Sequence, residues 1–155
     1  DAEIIMIEPP KNRDPEALDS VFRLKLSRVL SVMETLGFPM KLDEGFRTVE
    51  RQQWLYSQGR ERSGIKVTNK DGVDDNPSDG INELSNHQGD GKPGTGRGAD
   101  CYPVHPDTLK IIWPPPADKD PIWNLYATVA ESQGLTAGYR WKSPHDPPHI
   151  ELRLI

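Results

Sequence analysis

Cysteine is nearly missing from this chain. Cys101 is the only one among 155 residues, which rules out an internal disulfide and a cysteine-rich zinc site. No apolar run approaches the roughly 20 residues that span a bilayer, so we expect no membrane insertion. Clusters of Lys and Arg are lacking and the net charge is −5, so neither nucleic acid nor an anionic membrane surface is an expected partner. Histidine is scarce, at four residues. What the chain has in quantity is Gly (13) and Pro (15), against a modest 34% hydrophobic fraction. That balance describes a compact core carrying long irregular loops rather than a disordered chain. One domain over 1–155 is the natural organisation, and we expect a monomer. The chain starts at Asp1 rather than Met, which reads as a leading segment removed, a signal peptide or another boundary.

Residues 1–13 read as a surface lead-in, since Pro9-Pro10 blocks regular structure. A helix is expected from Asp14-Pro15-Glu16, where an N-cap, a first-turn Pro and an acidic residue coincide. Its stripe is Ala17, Leu18, Val21, Phe22, Leu24, Val29, Val32, Met33 and Leu36, ended by Gly37. Residues 40–46 alternate as a short strand. Thr48 caps a second helix to about Gln58, with Gly59 behind it. Residues 60–97 lose periodicity and read as loop. Residues 99–104 read as a buried strand and 118–134 as a third helix, with Ile122, Leu125, Tyr126, Val129 and Ala130 on one face. Residues 139–141 and 149–154 read as final strands. The order implies an α+β fold, a small antiparallel sheet with helices packed on one side and long loops.

A lone histidine is usually a surface or hydrogen-bonded residue, but context raises two of the four. His149 opens an alternating strand behind Asp146-Pro147-Pro148. The prolines forbid helix there, so His145 and His149 cannot form the two-histidine helix face of the common helical zinc proteases. Asp146 and His149 instead lie on a stiff segment, which we expect to be extended, a rigid base beside a rigid ligand. His87 precedes a Gly-rich run, and Asp100 begins an otherwise apolar strand. A carboxylate there is expensive unless it is paired or coordinates a metal. Two imidazoles and one carboxylate would make a three-ligand zinc set with a fourth position open to water. Spacing alone makes this weak.

Three stretches, in order, carry a resemblance. The first is Glu44-Gly45-Phe46-Arg47-Thr48-Val49-Glu50-Arg51-Gln52 with Leu55, Tyr56 and Gly59. The second is Ser85 and His87 with Gly96-Arg97-Gly98-Ala99-Asp100. The third is Gly134-Leu135, Gly138, Trp141 and Asp146-Pro147-Pro148-His149-Ile150-Glu151-Leu152. Over roughly 42–154 the chain resembles the VanY-like family of D-alanyl-D-alanine carboxypeptidases and L-alanyl-D-glutamate endopeptidases, which includes phage endolysin peptidases. The resemblance implies zinc, one ion per chain, held by His87, Asp100 and His149. It implies Asp146 as general base, and Arg47 as the group that stabilises the substrate carbonyl and its developing oxyanion. The implied substrate is the peptidoglycan stem peptide, cut at the L-alanyl-D-glutamate bond by metal-activated water. Asp rather than Glu at 146 favours that bond over terminal D-alanine, the nearest alternative. The implied place of action is the cell wall, from the periplasm, after secretion, or on release of a phage product at lysis. A zinc-binding module without activity, as in the hedgehog signalling domain, is the rival from another class.

One departure from the family pattern stands out. The interval from His87 to Asp100 exceeds the family's usual spacing by about six residues, inserted between Gln88 and Gly96. A flexible insert costs little, but it makes His105, five residues past Asp100, a rival ligand. The long loop between Gly59 and Gly96, which flanks His87, is also a candidate lid or specificity element over the substrate. Glu151 reads equally as an orienting partner of a ligand or as a solvent-facing side chain. Trp141 reads as core in preference to groove, and Cys101 as a small buried residue. The acidic loop bearing Asp71, Asp74, Asp75, Asp79, Glu83 and Asp90 invites calcium. It lacks the ligand spacing of an EF-hand, so a solvated loop is the preferred reading.

Overall fold

A computed structural model describes residues 7–58, 60, 68, 70–73 and 84–154. The expected α+β fold is present. Helix α1 spans Ser20–Thr35, strand β1 Met40–Glu44, α2 Val49–Ser57, β2 Gly98–Pro103, α3 Pro121–Ser132, β3 Thr136–Ala137 and β4 His149–Glu151. The four strands form one antiparallel sheet in the order β1-β2-β4-β3. No helix of the described residues is long and apolar enough to cross a membrane.

Helix α1 starts later than its sequence suggests. Asp14 caps only a 3-10 turn, Pro15–Ala17, by accepting from Glu16 N–H. A second cap, Asp19, accepts from Val21 and Phe22 N–H and begins the helix proper. The backbone between the caps is used elsewhere. Ala17 C=O accepts from Gly94 N–H, and Leu18 bridges Gly96. The buried stripe of α1 is Phe22, Leu26, Val29 and Met33, at helical spacing. Each contributes about 1.5–3 kcal/mol by burial. Val21, Leu24, Val32 and Leu36 from the expected stripe face solvent. Helix α3 supplies the facing half of the core with Ile122, Trp123, Tyr126, Ala127, Val129 and Ala130, after an Asp120 cap and Pro121 in the first turn. Helix α2, capped by Thr48 as expected, buries a polar face, Arg51, Gln52 and Ser57.

In the sheet, Ala99 and Cys101 of β2 face the helices at 0% exposure, and so does Ile150 of β4. Asp100, Tyr102, His149 and Glu151 are therefore turned to the other face. Two expected strands are corrected. Residues 139–141 are not a strand, because Trp141 N–H returns to Gly138 C=O and closes a 3-10 turn, Gly138–Arg140. The last strand stops at Glu151, where Leu152 N–H donates to Arg97 C=O.

The Gly-rich insert is a closed, docked turn. Asp90 N–H donates to Thr95 Oγ1, Thr95 N–H to Lys92 C=O, and Gly94 and Asp19 N–H tie it to the 3-10 turn. Gly89 lies at φ +57°, and a Cβ there would overlap the Thr95 carbonyl. Gly91 also has positive φ (+92°), but a Cβ there meets nothing within 4 Å. We expect Gly89→Ala to lose about 2 kcal/mol or more of stability and Gly91→Ala about 1 kcal/mol. Urea midpoints would measure both, and equal losses would count against the closed turn.

Candidate metal centre and its surroundings

The register of the sheet makes the site. Asp100 of β2 is directly opposite His149 of β4, so the two side chains share one face. On its other side Asp100 is opposite Glu44 of β1, because the pairing shifts between Leu42 and Glu44. This irregularity inserts Asp43 and moves Glu44 from the core face onto the polar face. His87 arrives from the loop before β2. Its N–H donates to Ser85 Oγ, its C=O accepts from Arg47 N–H, and neighbouring Asn86 C=O accepts from Arg97 N–H. Gly98 lets these parts close up: a Cβ there would lie 3.0 Å from both His149 Cε1 and His87 N.

His87, Asp100 and His149 each offer one donor atom, all within 4.8 Å of one another. His149 Nδ1 lies 3.1 Å from Asp100 Oδ1 and 3.2 Å from His87 Nε2. The outer ring nitrogens are already assigned. His87 Nδ1 donates to Gly45 C=O (2.8 Å), since a carbonyl only accepts, and His149 Nε2 donates to Glu151 Oε1 (2.7 Å). In the neutral tautomers, two nitrogen lone pairs and a carboxylate oxygen then face each other with no proton between them. Such a set fits a cation, and imidazole with carboxylate suits zinc. Without a metal, the surrounding carboxylates favour a proton at this point, which a bound cation would replace. Burial opposes a charge on His149, but Asp100 and Glu151 outweigh it and push the imidazole up to about 10. Burial likewise opposes the Asp100 carboxylate, which the two histidines hold well below its ordinary range.

Glu151 is thus an orienting partner, buried at 3% and also bonded by Asn86 and Arg153. Its carboxyl is lowered, because His149 and Arg153 outweigh burial. Asp146 and His149 sit on a tight turn rather than the extended segment expected, because His149 N–H donates to Asp146 C=O across Pro147-Pro148. Tyr126 Oη and Cys101 N–H both donate to Pro148 C=O and pin this turn to the core. Asp146 is half-buried, and burial with the Asp100 charge raises its pKa. A cleft of about 940 Å³ is lined by Arg47, His87, Asp100, Tyr102, Trp141, Asp146 and His149 among others. Trp141 is a wall of this cleft rather than core, with its ring 5.3 Å from that of His149. Cys101 is buried, and burial pushes its thiol up to about 12, so it is inert.

His105 is exposed beyond the end of β2 and takes no part in the cluster. His145 is exposed and held by Asp118 and Trp141 C=O. Residues 89–96 do not line the cleft, whereas Thr68, Lys70 and Leu84 to His87 of the same long loop do. Of the acidic loop, Asp74, Asp75, Asp79 and Glu83 lie outside the described residues, as do Gly59 and most of 61–83. Asp71 accepts from Val73 N–H and Asp90 pairs with Arg97.

Sequence reasoning missed the ion network behind the cleft. Arg47 Nη2 donates to Glu44 Oε1 (2.8 Å), Arg47 Nη1 to Gln52 Oε1 (2.9 Å), and Arg51 Nε to the other Glu44 oxygen. Arg47 Nη2 also lies 4.0 Å from Asp100 Oδ2, and its buried Nε finds no acceptor among the described residues. Burial opposes the Glu44 charge, but the two arginines lower its pKa below the ordinary 4.5. Glu44→Gln leaves both guanidiniums short of charge and should cost about 3 kcal/mol at pH 7. A lowered carboxyl contributes its full stability above the ordinary value and loses it as pH falls through the folded one. The gap between wild type and variant should therefore narrow below pH 4.5. Urea titrations at both ends of that range test it, and a pH-independent gap would remove charge as the cause.

No family model matches the sequence. Among solved structures, the chain resembles the crystal structure of the Serratia marcescens L-Ala D-Glu endopeptidase ChiX. The TM-score is 0.54 at 18% sequence identity, over 97% of this chain and 92% of that one. At that identity the likeness shows a shared fold, the one on which ChiX carries its endopeptidase.

Proposed function

We propose that the protein is a zinc-dependent peptidoglycan peptidase that hydrolyses the L-alanyl-D-glutamate bond of the stem peptide. The observation that carries this reading is the convergence of His87 Nε2, His149 Nδ1 and Asp100 Oδ1, with the other nitrogen of each ring satisfied from outside. A bound zinc would supply Lewis acidity and lower the pKa of water. Asp146 takes the proton from the attacking water and returns it to the leaving amine. Its raised pKa makes it a better base than an exposed carboxylate. Arg47 is permanently charged and held at two edges by Glu44 and Gln52, so it meets the carbonyl oxygen without reorganising. The fold shared with ChiX supports the same class of substrate, and Asp at 146 supports this bond. The place of action would be the cell wall.

Purified protein should hold about one zinc per chain, lost in His149→Ala and retained in Asp146→Asn. Asp146→Asn should lower turnover by about a hundredfold or more, and Arg47→Lys should lower kcat through loss of its paired donors. Digestion of purified sacculi, with mass spectrometry of the new termini, identifies the bond. N-terminal D-glutamate is the expected product. Release of free D-alanine would make the enzyme a carboxypeptidase, and an inert zinc-loaded protein would make it a binding module.

A further inference from the structure

Trp113 is 75% exposed, while Trp123 is buried and Trp54 and Trp141 are half-buried. An indole is costly to leave in water, and nothing in the core or the ion network uses this one. Its position is built. Ile112 N–H donates to Pro103 C=O, Val104 bridges Ile111, and three prolines, Pro114 to Pro116, fix the backbone that follows. Trp123 Nε1 then anchors Pro116 C=O at 3.0 Å. The Trp113 ring meets Tyr102 edge-on, with centroids 6.1 Å apart, and Tyr102 is a wall of the cleft.

We infer that Trp113, backed by Tyr102, is a glycan subsite that stacks an N-acetylhexosamine ring of the substrate beside the cleavage site. This inference rests on the peptidoglycan reading above. The spacing supports it. Asp100 and Tyr102 are two apart on one face of β2, hence roughly 7 Å apart. The indole lies one further ring contact away. In peptidoglycan the L-alanine is joined to the sugar through a lactyl group. The first sugar therefore begins about two residue lengths, roughly 7 Å, from the scissile carbonyl, and its ring extends several ångströms further. A pyranose presents a face of C–H groups that covers an indole, and the uncharged N-acetyl sugar asks for no counter-ion. The rim chemistry at Trp113-Pro114-Pro115-Pro116 is likewise uncharged.

The test has two arms on the full chain loaded with zinc. Saturation-transfer NMR with the N-acetylglucosamine trimer reads the glycan directly and needs no cleavage. Wild type should give transfer, reduced about tenfold in Trp113→Ala and largely restored in Trp113→Phe. No transfer to wild type, or equal transfer to Trp113→Ala, overturns the subsite. The second arm compares kcat/KM on a disaccharide-bearing muropeptide and on the same peptide without sugar. Trp113→Ala should lose about tenfold on the first and stay within about twofold on the second. Equal losses on both overturn it. Absence of cleavage by wild type would count against the peptidase reading, while the NMR arm would still judge the glycan subsite.

Discussion

Everything at the site depends on one row of side chains across the sheet: Glu44, Asp100 and His149, level with one another on β1, β2 and β4. Cross-strand neighbours of this kind lie about 5 Å apart and cannot avoid interacting. A slip of one residue would turn Asp100 into the core and bring Cys101 to the polar face. The apolar alternation of Ala99 and Cys101 against Ile150 resists that slip, since both sides of β2 would lose their packing at once. The core thereby specifies the geometry of the candidate ligands without contributing one itself.

The row also explains why so much charge can be buried. Across the floor of the cleft the signs alternate: Arg51, Glu44, Arg47, Asp100, the histidine pair, Glu151 and Arg153. An isolated buried carboxylate would shed its charge, and an isolated pair would gain little net stability. Here each carboxylate has an arginine within 4.0 Å, and Asp100 and Glu151 each have a histidine ring on the other side. Glu44, Asp100 and Glu151 are all held below their ordinary pKa despite burial. Asp146 is the exception. It stands beside Asp100 without a dedicated arginine, and its pKa rises. The same surroundings thus separate three lowered carboxylates from the one proposed to move a proton.

Much of this was legible in the sequence, and the failures have physical causes. The α+β class, most of the core face of α3 and the meeting of His87, Asp100 and His149 follow from periodicity and ordered motifs, whereas the α1 stripe takes in exposed Val21, Leu24, Val32 and Leu36 and leaves out buried Leu26. Glu44 was not seen as a site residue, because alternation along β1 assigns it to the core and only a pairing shift at Asp43 moves it. The start of α1 was misplaced because two aspartate caps stand five residues apart. The choice between them is made by hydrogen bonds to Gly94 and Gly96, remote in sequence. Trp141 was read as core because a tryptophan usually is. Its cleft position comes from the turn at Gly138, which sequence alternation reads as strand.

The insert between Gln88 and Gly96 shows why ligand spacing in sequence is a poor guide to coordination. His87 is not held by the chain that leads to Asp100. It is held by Ser85 on its own side, by Gly45 at its ring, and by Arg47 N–H at its carbonyl. Asn86 and Arg97, on either side of the insert, are bonded directly. The chain therefore enters and leaves the insert at one point, and the intervening residues project toward the 3-10 turn, away from the cleft. Their number can change without moving either ligand, because closing a longer loop costs only a small additional entropy. What cannot change is the hold of Gly45 C=O and Arg47 N–H on His87, and the close approach at Gly98, where a Cβ would lie 3.0 Å from both His149 Cε1 and His87 N.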